Sequence, residues 1–253
     1  MTSSMLDSTD DEYVRRFAGI GRVYGETRLT TFEQAHVMVI GIGGVGSWAA
    51  EALARTAIGE ITLVDMDILV ASNINRQLPA LTDTLGLEKT QAMAERIRGI
   101  NPRIKLNIVD DFLTADNLAQ MLATPPDVVL DCIDDVKAKL ALILHCRRHK
   151  IPLVVSGSAG GKTDPLSIRV ADLSKTEYDP LLAKIRRTLR QDYNMCKKPK
   201  DKFGVTCVYS IEQPYQPETC TTGGLQCGGY GSATVMTASV GLVAVAEVLK
   251  KLK

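Results

Sequence analysis

The 253-residue chain carries almost no net charge, 30 Lys and Arg against 29 Asp and Glu, and has only three histidines, no Cys-x-x-Cys pair and no apolar run of membrane-spanning length. Each shortage narrows the function. A net charge of +1 gives no global attraction to nucleic acid or membrane, so any basic surface must be local. The six cysteines, Cys132, Cys146, Cys196, Cys207, Cys220 and Cys227, lack the paired spacing of a structural zinc site. Residues 1–12 are polar and acidic, unlike an export signal, so the cysteines are expected to be reduced thiols of a cytoplasmic protein. The closing stretch 231–253 is shorter in its apolar part than the roughly 20 residues a span requires, and Glu247 interrupts it. It is expected to be a core helix packed on the sheet or on a second subunit, its basic tip suited to a helix C-terminus. Peripheral membrane contact is the disfavoured reading.

What is present is organised around His36-Val-Met-Val-Ile-Gly-Ile-Gly-Gly-Val-Gly-Ser47. An apolar run ends in glycines and passes into an Ala-rich segment of helical character, 48–56. Gly41, Gly43 and Gly46 fit G-x-G-x-x-G, and Gly44 adds a fourth glycine. A phosphate can approach backbone closely only where no side chain intervenes, and the free N–H groups of a helix start point at the anion. An acidic residue is expected roughly 20 residues on, after the next strand, and Asp65 supplies it. A nucleotide therefore binds here on this reading, either a dinucleotide or ATP.

The rest of the chain alternates. Strands are expected over 60–65, 104–109, 127–131 and 151–156, and helices over 89–100, 113–122 and 134–149, with 1–12 frayed and a basic amphipathic lead-in helix over 12–28. Nearly continuous apolar strands alternating with helices predict an α/β, Rossmann-like, mostly parallel sheet with helices on both faces. Beyond Gly157 the rhythm changes, and 166–170 with 204–210 read as antiparallel strands extending that sheet. Ser158 to Thr163 looks like a phosphate-binding Walker loop, but Ser156 stands where its first glycine belongs, so a turn is expected, with Lys162 near the site. One domain over 1–253 is the economical reading for a length near the limit of a single core, roughly 250–300 residues. It comprises an N-terminal arm 1–30, a basic insertion 180–202 and a C-terminal helix 231–253.

A helix N-terminus offers only about +0.5 of a charge, enough to help a pyrophosphate bridge but not to balance a triphosphate. An ATP site needs side-chain cations and a metal ligand. Arg76 follows strand two, Lys89 opens the next helix and Asp134 follows strand four, all at the carboxyl edge where parallel sheets bind ligands. Arg76 and Lys89 are assigned to the phosphates and the departing pyrophosphate, Asp134 to Mg²⁺, and Asp65 to the ribose hydroxyls. Asn73, Asn75 and Gln77 supply neutral hydrogen bonds. Singly, each has a bland reading: loop residue, helix cation, helix N-cap. Two further stretches are basic. Arg15, Arg16, Arg22 and Arg28 read as a helix lying on the domain or as an arm bringing an arginine to phosphates. Lys184, Arg186, Arg187, Arg190, Lys197 and Lys198 read equally as a solvated face or as contacts to RNA phosphates.

The joint set Gly41-Ile-Gly-Gly-Val-Gly46, Asp65-Met-Asp67, Asn73-Ile-Asn-Arg-Gln77, Lys89 and Asp131-Cys-Ile-Asp134 resembles the ubiquitin-activating and molybdopterin-synthase adenylyltransferase (ThiF-like) superfamily. The resemblance adds Asp67, Cys132 and Ile133 to the nucleotide-binding set. Within the superfamily the chain is most similar to the tRNA threonylcarbamoyladenosine dehydratase family. That likeness is carried by Arg16-Phe17, Arg22-Val-Tyr-Gly25, the run from Gly44 to Arg55, Cys146-Arg-Arg, Tyr230-Gly and Ala233-Thr. It implies adenylylation, by MgATP, of the threonine carboxylate of a modified adenosine beside the tRNA anticodon, followed by cyclisation. Its implied partners are tRNA and a second copy of the chain, with a sulfur-relay protein left open. Three rivals stay open: activation of a small protein's C-terminus with Cys207 taking the acyl group, an NAD-dependent oxidoreductase, and an ATP-sensing RNA-binding scaffold.

Overall fold

In the computed structural model, which describes residues 3–196, 198, 201–215 and 230–253, the β-branched runs become the strands of one seven-stranded sheet. They are β1 (His36–Ile40), β2 (Glu60–Val64), β3 (Lys105–Val109), β4 (Val128–Asp131), β5 (Leu153–Ser156), β6 (Ile168–Asp172) and β7 (Thr206–Ser210). Their order is β3-β2-β1-β4-β5-β7-β6. Six strands run parallel; β6 alone is antiparallel, to β7. The expected antiparallel pair extending the sheet, 166–170 with 204–210, is present as β6 and β7. The strand over 204–210 continues the parallel sheet beside β5, and only the edge strand reverses.

The helices are α1 (Ser3–Tyr24), α2 (Glu26–Gln34), α3 (Gly44–Arg55), α4 (Lys89–Ile100), α5 (Leu118–Met121), α6 (Val136–His149), α7 (Pro180–Gln191) and α8 (Thr234–Lys251). The N-terminal segment is helical from Ser3 rather than frayed to Glu12. Gly25, at φ +90°, breaks it into α1 and α2. Tyr13 and Phe17 pack on Ala57, and Arg16 donates to the Gly99 and Ile100 carbonyls at the end of α4. Arg28 lies over the Phe32 ring and donates to the Leu249 and Leu252 carbonyls at the end of α8. The arm therefore rides on its own domain at the amino ends of the strands, as the blander reading holds.

Buried side chains fill both sheet faces. Val37, Val39, Leu63, Val128, Leu130 and Val154 meet α3, α4 and α8, while Met38, Ile40, Val129 and Val155 meet α6 and α7. α8 is a core helix of this chain. Its Gly241 lets the helix close on α3, because a Cβ there would lie 2.7 Å from the Val45 carbonyl oxygen. No helix among the described residues is long and apolar enough to cross a membrane.

The register matters for function. Ile40 lies opposite both Val64 and Asp131, so β1, β2 and β4 end level. Strand order reverses between β1 and β4, and such a switch point opens a crevice at the carboxyl edge.

Candidate functional site

That crevice is a cavity of about 750 Å³. Its floor is the glycine turn. Gly41, at φ +87°, turns the chain out of β1, and a Cβ there would lie 3.0 Å from the Cys132 carbonyl oxygen. Gly46 is tighter still: a Cβ would come within 1.8 Å of the Gly41 carbonyl oxygen. Gly43 has open space where a side chain would stand. The helix begins at Gly44 and not at Trp48, so its unpaired N–H groups belong to the glycine run itself; the first to close a turn is Ser47, onto Gly43. Gly41, Gly43 and Gly44 line the cavity, whereas Gly46 sits behind it as the packing contact.

The wall from β2 is built around Asp65, which is 8% exposed. Its carboxylate accepts from the Ile42 N–H at 2.7 Å and the Asp67 N–H at 2.9 Å, tying the strand-two loop to the glycine turn. Lys89 is the first residue of α4. Its backbone N–H bonds the Asp67 carbonyl, and its Nζ lies 2.6 Å from Asp67 Oδ2 and 3.9 Å from Asp65 Oδ1. The loop between them is shaped by a 3-10 turn at 71–73, where buried Asn73 accepts the Val70 N–H at 3.1 Å. Arg76 follows. Its main-chain oxygen is held by Trp48 Nε1 at 3.1 Å and Thr237 Oγ1 at 3.2 Å, and its guanidinium donates to Ser72 O and Asn75 Oδ1 at the cavity wall. Gln77 is buried in the same wall, its Oε1 without a hydrogen-bond partner among the described residues. Asn75 departs from expectation: it is outside the cavity lining, and its amide donates to the Ser232 carbonyl at 2.7 Å, fastening this loop to the start of α8.

From β4, Cys132, Ile133 and Asp134 enter the wall. The N-cap of α6 is Asp135, which accepts the Ala138 N–H at 2.7 Å. Asp134 is thus relieved of the capping role that was its blander reading, and it is exposed to the cavity. Burial pushes the Cys132 thiol up to about 12, with the Asp131 charge adding to the effect, so it is no nucleophile. Arg76, Lys89 and Asp134, read separately from the sequence, line one cavity.

Sequence reasoning missed several parts. The loop after β3, 111–114, and the turn 156–160 also line the cavity; both follow strand ends at the carboxyl edge, a positional signal that was available. Two buried ion pairs brace it from behind. Lys139 Nζ lies 2.8 Å from Asp131 Oδ1 and 3.2 Å from the Ser156 carbonyl, bridging the ends of β4 and β5. Burial raises the Asp131 carboxyl, opposed by Lys139. Lys162 is 2% exposed and donates to the Ser158 and Ser210 carbonyls and to Asp179 Oδ2. It is a buried strut outside the cavity lining, which corrects its expected place near the site.

The basic insertion divides. Arg186 turns inward onto the Leu173 and Thr176 carbonyls and Thr176 Oγ1. Arg190 lies over the Phe203 ring, its Nε buried. These two are packing residues rather than free phosphate contacts. Arg187 and Lys198 stay exposed and Lys184 half-buried, while Lys197 lies outside the described residues. Cys207 is fully buried in β7, and burial pushes its thiol far above its ordinary value, so the acyl-acceptor reading loses its nucleophile. The four described cysteines are free thiols; Cys220 and Cys227 lie outside the described residues.

Comparison with known proteins places this geometry. The ThiF family model matches residues 13–253. The tRNA threonylcarbamoyladenosine dehydratase of Haemophilus influenzae is 50% identical over 247 residues, covering 96% of this chain and 95% of that protein. The crystal structure of the Escherichia coli enzyme, TcdA, in complex with AMP matches with a TM-score of 0.89 at 52% identity, covering 96% of each chain. Its complex with ATP matches with a TM-score of 0.88 at 51% identity, covering 96% of this chain and 95% of that one.

Proposed function

This chain belongs to the ThiF family, on the branch of the tRNA threonylcarbamoyladenosine dehydratases, and from that premise we propose how its residues run the reaction. The chain is an ATP-dependent enzyme that cyclises threonylcarbamoyladenosine in tRNA. A threonine carboxylate oxygen attacks the α-phosphate of ATP and pyrophosphate leaves. The neighbouring carbamoyl group then closes on the activated carbonyl, and AMP departs with the carboxylate oxygen. The elements of water leave the nucleoside and end up on AMP and pyrophosphate. Ring closure is intramolecular, so orientation alone can contribute about 7–11 kcal/mol, and no covalent enzyme intermediate is needed.

One observation carries the reading: bared helix-start N–H groups, Arg76, Lys89 and Asp134 border a single cavity. The glycine turn receives the α-phosphate. Asp65 and Asp67 accept from the ribose hydroxyls. Arg76 and Lys89 neutralise charge on the β- and γ-phosphates as pyrophosphate departs. The cavity lining holds five carboxylates, Asp65, Asp67, Asp111, Asp134 and Asp135, against those two cations. Such a wall repels a bare triphosphate, so ATP must enter with a metal cation. Asp134, exposed and unspent on capping, fits Mg²⁺, a hard ion held by one or two carboxylates plus phosphates. The ion would supply neutralisation of phosphate charge.

The same reading takes the chain as one domain acting in the cytoplasm on tRNA, and as a homodimer. Ile68, Val70 and Ile74 of the loop after β2 and Val235 and Leu242 of α8 are exposed apolar groups that a second copy would cover. The test is to incubate the protein with MgATP and tRNA bearing threonylcarbamoyladenosine and to weigh the nucleosides. Loss of one water per modified base, with equal AMP and pyrophosphate, supports the reading; an unchanged nucleoside overturns it.

A further inference from the structure

At the opposite edge of the sheet from the cavity, two clefts open beside the ends of α6 and α8. One, of about 630 Å³, is bordered by His149, Lys150, Lys251 and Lys253; the other, of about 270 Å³, by Arg147, Lys150 and Lys251. Lys150 and Lys251 border both, so the cations face one continuous surface. The bland account of such residues is helix capping. Here that role is already filled. The carbonyls of Leu249 in α8 and of Leu252 just beyond it accept from Arg28, and α6 closes through Lys150 in the left-handed conformation, whose N–H returns to the end of the helix. Among the described residues, Arg147, Lys150, Lys251 and Lys253 make no ion pair. Among the described residues, the one side-chain carboxylate bordering either cleft, Asp127, is engaged by the His36 N–H at 2.8 Å.

The surface also continues. A Cβ on Gly204 would lie 3.2 Å from Arg147 Nη1, so Arg147 reaches over the start of β7, where the basic loop with exposed Lys198 and Lys202 ends. No large exposed apolar side chain lies between 145 and 153 or between 247 and 253, so the patch lacks the groups that insert into a bilayer.

We propose that Arg147, Lys150, Lys251 and Lys253 form a second contact site for the phosphodiester backbone of the substrate tRNA, remote from the cavity. This rests on the reading of the chain as a tRNA-modifying enzyme. The length of β5, at about 3.3 Å per residue, plus the flanking side chains sets the two sites on the order of 20 Å apart. That span is too long for one nucleotide and within reach of a folded RNA stem. The cavity takes the modified base while the far edge of the sheet grips the body of the molecule.

The test compares wild type with Lys251→Glu/Lys253→Glu, and with Lys251→Gln/Lys253→Gln in case charge reversal disturbs folding. Affinity is measured for whole tRNA, for an isolated anticodon stem-loop, for ATP and for vesicles rich in phosphatidylserine, across a salt series. The expected result is about tenfold or greater loss of whole-tRNA affinity with a salt slope shallower by about one per lost contact, a loss for the isolated stem-loop no larger than that for whole tRNA, and unchanged ATP affinity. Unchanged whole-tRNA affinity and slope overturn the proposal, whether or not vesicle binding falls. Wild type that binds whole tRNA through this surface yet never converts the base would instead sink the reading of the reaction and leave the contact site standing.

Discussion

Lys89 Nζ lies 2.6 Å from Asp67 Oδ2 at the cavity wall, and the lysine is 6% exposed. Its ammonium serves two masters: it holds the strand-two loop through Asp67 and faces the space where a triphosphate fits. Lys89→Ala leaves Asp65 and Asp67 uncompensated beside the phosphates. We expect kcat/KM for pyrophosphate release to fall by about 10²-fold or more, while whole-chain circular dichroism stays native. Wild-type turnover in this variant removes Lys89 from the site.

Gly43 and Gly46 separate binding from folding. A Cβ at Gly46 meets the Gly41 carbonyl oxygen at 1.8 Å, whereas one at Gly43 meets nothing within 4 Å. Gly46→Ala is expected to destabilise by about 1–3 kcal/mol or more through overpacking, seen as a fall of several degrees in Tm. Gly43→Ala is expected to keep its Tm and to lose ATP affinity, because its methyl stands where a phosphate approaches. Equal melting temperatures for the two, or tight ATP binding by Gly43→Ala, would contradict the assignment.

Asp172 pins the end of the basic insertion to the sheet. Its carboxylate accepts from the Ser174, Phe203, Gly204 and Val205 N–H groups. Burial alone would raise its carboxyl; the hydrogen bonds outweigh this and hold it below the ordinary carboxylate value. Its folded pKa is thus depressed, so its stabilisation is complete above the unfolded value of about 3.9 and is lost as pH falls through the folded value. Asp172→Asn is therefore expected to lower Tm at pH 7, with the gap to wild type closing toward pH 2. A gap independent of pH would contradict this origin.

Cys207 lies at 0% exposure with its thiol raised by burial. Cys207→Ala is expected to keep turnover on modified tRNA within about twofold, with a modest loss of stability from the small cavity it leaves. Abolished turnover in a folded variant would restore the thioester mechanism.

The sheet and the cavity were legible because local patterns encode them. β-branched runs of 36–40, 61–64 and 128–130 declare buried parallel strands, and strand-end positions declare which loops share an edge. Three other features depend on partners that only the fold brings together. Nothing near Lys139 or Lys162 marks them as buried struts, since Asp131 and Asp179 reach them only through the fold. Arg186 and Arg190 look like exposed cations until the 173–176 turn and the Phe203 ring give them partners. Asn75 reads as a ligand residue because its loop is polar, yet its amide is spent on Ser232, 157 residues away. The start of α3 within the glycine run escaped for another reason: glycine is a poor helix former, and here tertiary packing against Gly41 and Thr237 overrides that preference.

The central claim, that this cavity joins a tRNA-borne carboxylate to AMP, is most directly tested by oxygen transfer. tRNA whose threonylcarbamoyl carboxylate carries ¹⁸O is converted with unlabelled ATP, and the released nucleotide is weighed. The account predicts AMP bearing one ¹⁸O atom, taken from the attacking carboxylate. Unlabelled AMP, or label appearing in inorganic phosphate with ADP as the nucleotide product, would contradict it.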